Sequence, residues 1–488
     1  MKITNQKAKN GEDTATADGH FLHSNYAPVK EAQRFVENLK LPYNPSSIII
    51  TEPGLSYIIP FIKEKYAGIK IGAVRYTKDF SSYNTGFDFV LNYFEHKDFE
   101  AYLENTLNEE KLLTYSFISW PASASIFAEE DKIVWNAIKA AMLRAKTLLI
   151  TRQYFEKKWF LNSCNFLKYT KNTISFDGPV NKDVLIISSG PSLNPFIRII
   201  KENQEKFFII CLSSAISVCL KNGIKPNLCM TTDGGYWAGQ HLKSLYKNSI
   251  PLALPAEGYC PKKLLSSLQI LPLDYGDGLS SELIKSQKIV TKKALRNGTV
   301  SGTALFFAAN CFTKNVYLCG MDMANQKGFQ HAQPNQLEAN NAKADNRIRN
   351  KLTRLSRAEL TKGSLDIYKD WFVNHPLNTG NKKVCRLIEE KDRKNSLGWI
   401  ADINLKTFEN DILNIKDSEK INYIETNYSF DNDAIKIFEN QFSVEKWKKQ
   451  LFPLDFVQLS HNPSNTEVSE KIEKEWDALK KSAEKIFL

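Results

Sequence analysis

Apolar residues in this chain follow two rhythms. Short β-branched runs predict strands at Ser47–Thr51, 70–74, Asp183–Ile187, Phe207–Leu212, 228–232, 252–254, 270–273 and Val316–Cys319. Between them, apolar positions three and four apart predict helices: Val29, Ala32, Phe35 and Val36 share one face, and further helices fall at 56–65, 214–222 and 302–311. A longer helical stretch near 128–171 carries Val134, Ile138, Ala141, Met142 and Ala145 on one stripe, then Phe155, Trp159, Asn162 and Phe166. Near the C-terminus, Ser464 to Glu467 reads as a capping box ahead of an apolar stripe through Val468, Ile472, Trp476 and Leu479.

Strands that alternate with helices predict an α/β protein built on a doubly wound, Rossmann-like parallel sheet. The expected organisation is a loose polar tail at 1–19, an N-terminal α/β domain at 20–155, a central domain at 156–405 and a C-terminal helical region at 406–488. From Asn325 to about Asn350 the chain turns polar, which predicts a mobile loop containing His331.

Composition narrows the classes. The 488 residues are 42% hydrophobic and 24% charged, ordinary for a folded chain of several domains. Lys and Arg outnumber Asp and Glu by 65 to 54, but the excess is dispersed, which suits a small anionic ligand better than nucleic acid. Eight cysteines, none in a CxxC pair and most inside apolar runs, fit a reduced cytoplasmic protein. No signal core and no apolar window near 18 residues stand out, so neither export nor a membrane span is expected.

The chemistry gathers where strands end. Ser188-Ser189-Gly190-Pro191-Ser192-Leu193 follows a strand and precedes a helix, an arrangement that brings backbone N–H groups up to an anion, although an ordinary loop satisfies the same pattern. Ser213, Asp233-Gly234-Gly235 and Gly320-Met321-Asp322 end other strands of the same sheet, where ligands of such folds sit. Ser301-Gly302-Thr303 opens a helix and offers further donors, or else the serine simply caps it. Glu52-Pro53-Gly54 in the first domain reads as a plain turn, with phosphate binding as its second reading.

The segment Leu22-His23-Ser24-Asn25-Tyr26-Ala27-Pro28-Val29-Lys30-Glu31-Ala32 resembles the opening signature of the motility accessory factor (Maf) family, which attaches nonulosonic acids to flagellin. Gly190-Pro191-Ser192-Leu193, Thr231-Thr232-Asp233-Gly234-Gly235, Ser301-Gly302-Thr303 and Gly320-Met321-Asp322 are similar to that family's catalytic domain and to bacterial sialyltransferases. The chain departs from them in having Ser188-Ser189-Gly190 for Gly-x-Gly, and Ser213 and Asp233 for two nucleotide-binding asparagines. The resemblance implies a CMP-activated nonulosonic acid as donor, flagellin as acceptor, and a nucleotide site at Ser189, Gly190, Pro191, Ser192, Leu193, Ser213, Gly234, Ser301, Gly302 and Thr303. It implies His331 as general base, with Asp322 and Asp233 as further catalytic candidates, and leaves a divalent metal, magnesium or manganese, open. The central domain also resembles the archaeal 6-hydroxymethylpterin pyrophosphokinase, an enzyme that takes ATP and a divalent metal. A non-catalytic flagellin-binding module is the third reading.

Overall fold

The computed structural model describes residues 2–324, 331–348, 350, 353, 364–415, 421–430 and 444–487. The chain forms two compact units, Met1–Glu156 with Val444–Ala478, and Lys157–Ser443 with Leu479–Leu488.

In the first unit, β4 (Ser47–Thr51), β5 (Lys70–Arg75), β6 (Phe89–Asn92) and β7 (Tyr115–Ser119) make a parallel sheet of order β6-β5-β4-β7. The first nineteen residues, expected to be a loose tail, instead contribute β1 (Ile3–Lys7) and β2 (Asp13–Ala17) to an antiparallel sheet completed by β3 (His20–Phe21). Asp18 and Gly19, both at positive φ, join β2 to β3 as the tight turn that an Asp-Gly pair forms, and Ala15 and Ala17 are buried. The polar composition hid these strands because the buried run of β2, Thr14 to Ala17, is built of threonine and alanine and carries no apolar signal.

At the carboxyl end of β4, Glu52-Pro53-Gly54-Leu55-Ser56 is a closed, strained turn: Glu52, Gly54 and Ser56 all have positive φ. Arg75, fully buried, fills it. Its guanidinium donates to Glu52 Oε1 (2.9 Å), the Gly54 carbonyl (2.8 Å), Ser56 Oγ (2.7 Å) and the Tyr83 carbonyl (3.1 Å). Burial disfavours the charge on Glu52 and raises its pKa; the Arg75 charge and the Tyr76 and Gly54 N–H groups pull it back. His23 closes the other side by accepting the Leu55 N–H at Nε2 (2.9 Å). Burial, helped by the Arg75 charge, lowers its pKa to about 4.

The second unit carries the large sheet. Its strands are β8 (Asn172–Phe176), β9 (Asp183–Ile187), β10 (Phe207–Leu212), β11 (Leu228–Met230), β12 (Leu252–Pro255), β13 (Gln269–Asp274), β14 (Lys292–Lys293), β15 (Val316–Cys319), β16 (Val384–Leu387), β17 (Ala401–Ile403) and β18 (Tyr423–Asn427). They lie in the order β17-β16-β15-β9-β10-β11-β12-β13-β8-β18, with β14 beside β13; only the β8/β18 pair is antiparallel. From β9 the chain winds outward through β10 to β13, then returns to β15 on the other side of β9. This doubly wound arrangement opens its crevice between β9 and β15. Strands buried on both faces need continuous apolar runs, and Val184 to Ile187 and Phe207 to Cys211 are at most 1% exposed.

The expected C-terminal domain at 406–488 is instead shared: residues 444–478 pack into the first unit, the remainder into the second. Asn465, rather than Ser464, caps the final helix Thr466–Phe487, accepting the Val468 N–H (3.2 Å). All eight cysteines are reduced and lie in the second unit; seven are buried and Cys311 is half-buried. Among the described residues no helix is long and apolar enough to cross a membrane.

Candidate functional site

The turn after β9 and the loop after β15 meet at the switch crevice, and the contact explains both glycines. Gly190 N–H donates to the Gly320 carbonyl (2.7 Å), and Ser188 N–H to that of Cys319 (2.8 Å). A Cβ on Gly190 would strike the Asp322 carboxylate and the Gly320 carbonyl oxygen; one on Gly320, at φ +70°, would strike the Ser188 carbonyl. Gly190 itself has an ordinary extended backbone, so close approach and not backbone freedom demands it.

This changes what the turn can do. Gly190 N–H, expected to be available to an anion, is taken by Gly320, and Asp322 Oδ2 accepts the Ser192 N–H (3.1 Å). Asp322, only 4% exposed, therefore braces the turn. Pro191 to Phe196 continue as a short 3-10 turn before the six-residue helix Ile197–Glu202, with Leu193 buried in the core. What remains to meet a ligand is a set of hydroxyls. Ser192 Oγ is buried without a hydrogen-bond partner, and so is Thr231 Oγ1 at the end of β11. Ser188 and Ser301 face each other at 3.4 Å between hydroxyl oxygens, and Ser214 Oγ donates to Ser189 Oγ (2.9 Å). Ser213, buried, begins the short turn Ser213–Ala215 after β10.

The helix Val300–Cys311 is capped by Thr299, whose Oγ1 accepts the Gly302 N–H (2.9 Å); Ser301 is not the cap and turns its hydroxyl to Ser188. Thr303 Oγ1 donates to the Leu295 carbonyl (3.1 Å), which makes it structural. A Cβ at Gly302 would sit 2.6 Å from the Asn297 side chain. Asp233, exposed, accepts the Gly235 N–H (2.8 Å) in an Asx turn. The Gly234 carbonyl accepts from Asn162 (3.1 Å), and a Cβ there would press on Trp159.

His331 is half-buried at the same edge. Ala332 N–H donates to the Ser189 carbonyl (2.6 Å) and Asn335 Nδ2 to the Ser214 carbonyl (2.9 Å), which fixes the segment to the turns after β9 and β10. His331 Nδ1 lies 3.4 Å from Glu338 Oε1, and Glu338 is 7% exposed. The polar stretch around it is not all loop: Gln336–Ala344 is helical, while residues 325–330 and 349 lie outside the described residues.

Sequence reasoning missed several neighbours. His241 ends the helix Tyr236–His241 and has its pKa lowered by burial and by the His331 charge, with Asp233 opposing. Arg296 Nη1 and Nη2 donate to Glu257 (2.6 and 3.0 Å), Nη2 also to Asp277 (2.9 Å), and the guanidinium stacks 4.3 Å from the Tyr275 ring centroid. Arg386, buried in β16, grips Asp402 (2.7 and 2.9 Å) and Asn395 (2.9 Å); Asn395 donates to the Asp322 carbonyl (3.1 Å) and supports the loop. These partners are too far apart in sequence to leave a spacing signal. Among the described residues no three His, Cys, Asp or Glu side chains gather into a metal-ligand set.

Residues 157–328 match the family model described as 6-hydroxymethylpterin diphosphokinase MptE-like. A curated relative, an uncharacterized protein of Treponema pallidum (strain Nichols), is 27% identical over 285 residues, 57% of this chain and 62% of that protein. The match thus spans about three fifths of the relative's length. The solved structure of the Maf glycosyltransferase from Magnetospirillum magneticum AMB-1 superposes with a TM-score of 0.54 at 11% identity, covering 99% of this chain and 90% of that one. The chain therefore shares its fold with that Maf glycosyltransferase, and its central residues 157–328 are similar to the MptE-like family model.

Proposed function

We propose that this chain is a cytoplasmic glycosyltransferase that moves a nonulosonic acid (pseudaminic, legionaminic or sialic-acid-like) from a CMP-activated donor to serine or threonine hydroxyls of flagellin. The likeness to a Maf glycosyltransferase over nearly the whole chain is the observation that carries the reading. A bond forms between the acceptor oxygen and the anomeric carbon, the bond from that carbon to the CMP phosphate breaks, and the acceptor proton passes to His331. The neutral tautomer that donates Nδ1–H to Glu338 leaves the lone pair of His331 on Nε2, the arrangement a base requires. The hydroxyls of Ser188, Ser189, Ser192 and Ser301 stand at the switch crevice as donors for the leaving phosphate, and Asp322 positions the turn that carries them.

The test is transfer from CMP-pseudaminic acid to purified flagellin, read by mass spectrometry, in native protein and in His331→Ala. Losing a general base should lower turnover by about a hundredfold to ten-thousandfold with CMP affinity kept. A variant retaining more than about a tenth of the rate would sink the assignment of the base. The match to the MptE-like model favours a second reading, diphosphoryl transfer from ATP to a hydroxymethylpterin. ATP binding without CMP binding in calorimetry would decide for it.

A further inference from the structure

The helix Tyr236–His241, reached from β11 through Asp233-Gly234-Gly235, inverts the usual order of inside and outside. Its small residues face inward: Ala238 and Gly239 are buried, and a Cβ on Gly239 would sit 2.5 Å from the Tyr259 ring. Its two large aromatics face out. Tyr236 is 66% and Trp237 41% exposed, and their ring centroids lie 5.6 Å apart in an edge-to-face pair. The loop behind them is fixed, since Asp233 Oδ1 accepts the Gly235 N–H (2.8 Å) and the Asp233 carbonyl accepts the Tyr259 N–H (2.9 Å). A single exposed aromatic needs no explanation; two side by side on a pinned helix, at the carboxyl edge of the sheet, make a rigid apolar surface in water.

Strand order says what meets that surface. β15, β9, β10 and β11 are successive neighbours, about 4.8 Å apart. The hydroxyls of Ser188, Ser192 and Ser301 gather at the β15/β9 end. His331 comes next, its segment tied to the turns after β9 and β10 through Ala332 and Asn335. The helix Tyr236–His241 lies beyond, after β11, packed against the turn Ser213–Ala215 and against the helix Gln336–Ala344 that carries Glu338, the partner of His331. The sequence across the edge is thus phosphate donors, base, aromatics. In a direct displacement the attacking oxygen and the leaving phosphate stand on opposite sides of the reacting carbon, so the acceptor enters from the side of the base. We infer that Tyr236 and Trp237 form the acceptor platform, holding an apolar side chain of the acceptor polypeptide next to the serine or threonine whose hydroxyl faces His331. The inference rests on the transferase reading given above. Tryptophan and tyrosine suit the task because each offers a large contact area with few rotors to immobilise, which is why they dominate protein recognition.

Steady-state transfer from CMP-pseudaminic acid to purified flagellin, each substrate varied in turn, tests this. Tyr236→Ala with Trp237→Ala should raise the KM for flagellin by at least about tenfold, while kcat at saturating flagellin, the KM for the donor and the calorimetric affinity for CMP stay within about twofold. Tyr236→Phe with Trp237→Phe keeps the rings and should hold the flagellin KM within about threefold of native. Both side chains face solvent, so circular dichroism and the unfolding midpoint should match native protein in every variant. An unchanged flagellin KM in the double alanine variant overturns the inference. So does a loss carried by the donor KM or by CMP affinity, which would make the pair a nucleotide platform instead. Native protein that transfers no sugar overturns the transferase reading itself, and this inference with it.

Discussion

Two turns, one in each unit, follow the same plan and reach opposite results. Each succeeds a parallel strand, contains a glycine and leads into a helix: Glu52 to Ser56 after β4, Ser188 to Ser192 after β9. In the first, Arg75 and Glu52 fill the space where a ligand would sit, and the backbone accepts positive φ at three of five residues to close around them. In the second the backbone is relaxed, two N–H groups are already spoken for by Gly320 and Asp322, and uncharged hydroxyls line what is left, one of them unpartnered. A strand-turn-helix with glycine therefore does not by itself make an anion site. What the neighbouring strand contributes decides: an internal cation in one case, a second loop that leaves a cluster of buried hydroxyls in the other.

The contrast breaks most violently at Arg75. Arg75→Ala leaves Glu52 buried without its cation and should cost about 3–5 kcal/mol, read as a lost or much lowered unfolding transition of the first unit. No comparable charge sits within the second turn, so no substitution from Ser188 to Ser192 should approach that figure. Acid sharpens the difference next. The folded pKa of His23 is about 4 against an ordinary 6.5, so the unfolded chain takes up a proton that the folded chain refuses. The stability this contributes is complete above pH 6.5 and is lost as pH falls from 6.5 through 4, amounting to about 3 kcal/mol. Denaturant titrations at pH 7 and pH 4.5 should show the first unit weakening, and His23→Gln should flatten the dependence.

Gly190→Ala comes third. Its Cβ forces the β9 turn away from Gly320 and Asp322, which should cost about 1–3 kcal/mol and abolish CMP binding in calorimetry. Unchanged affinity would remove the ligand from this turn. The finest comparison is between two serines. Ser56 Oγ accepts from Arg75, and Ser56→Ala should destabilise by about 1–2 kcal/mol. Ser192 Oγ has no partner, so Ser192→Ala should be neutral to slightly stabilising, within about 1 kcal/mol, while weakening CMP. Equal losses in both variants would erase the distinction between a turn filled by a cation and one lined by an unpartnered hydroxyl.

How far these features could be read in the sequence depended on how local their causes are. Val184 to Ile187 and Phe207 to Leu212 announce buried parallel strands because burial on both faces leaves no room for polar residues. The loops at their carboxyl ends were legible for the same reason, since strand ends can be counted. Ile3 to Lys7 and Gln336 to Ala344 were not: a half-buried hairpin and a polar helix rest on contacts supplied from elsewhere in the chain. Within the site, Ser192 and Asp322 stood out as residues, but their mutual contact spans 130 positions and shows only in three dimensions. His241 beside His331, and Arg386 behind Asp322, are products of strand order and leave no trace in spacing.

The distribution of cysteine has a practical outcome for following each half of the molecule alone. All eight thiols fall within 164–385, and the first unit contains none. Burial raises the pKa of the Cys211, Cys229 and Cys319 thiols well above the ordinary value, which keeps them protonated and slow to react while the large sheet is closed. Alkylation kinetics therefore time the opening of the half that carries the large sheet with no engineered label, and the silence of the other half makes its unfolding invisible to the same reagent.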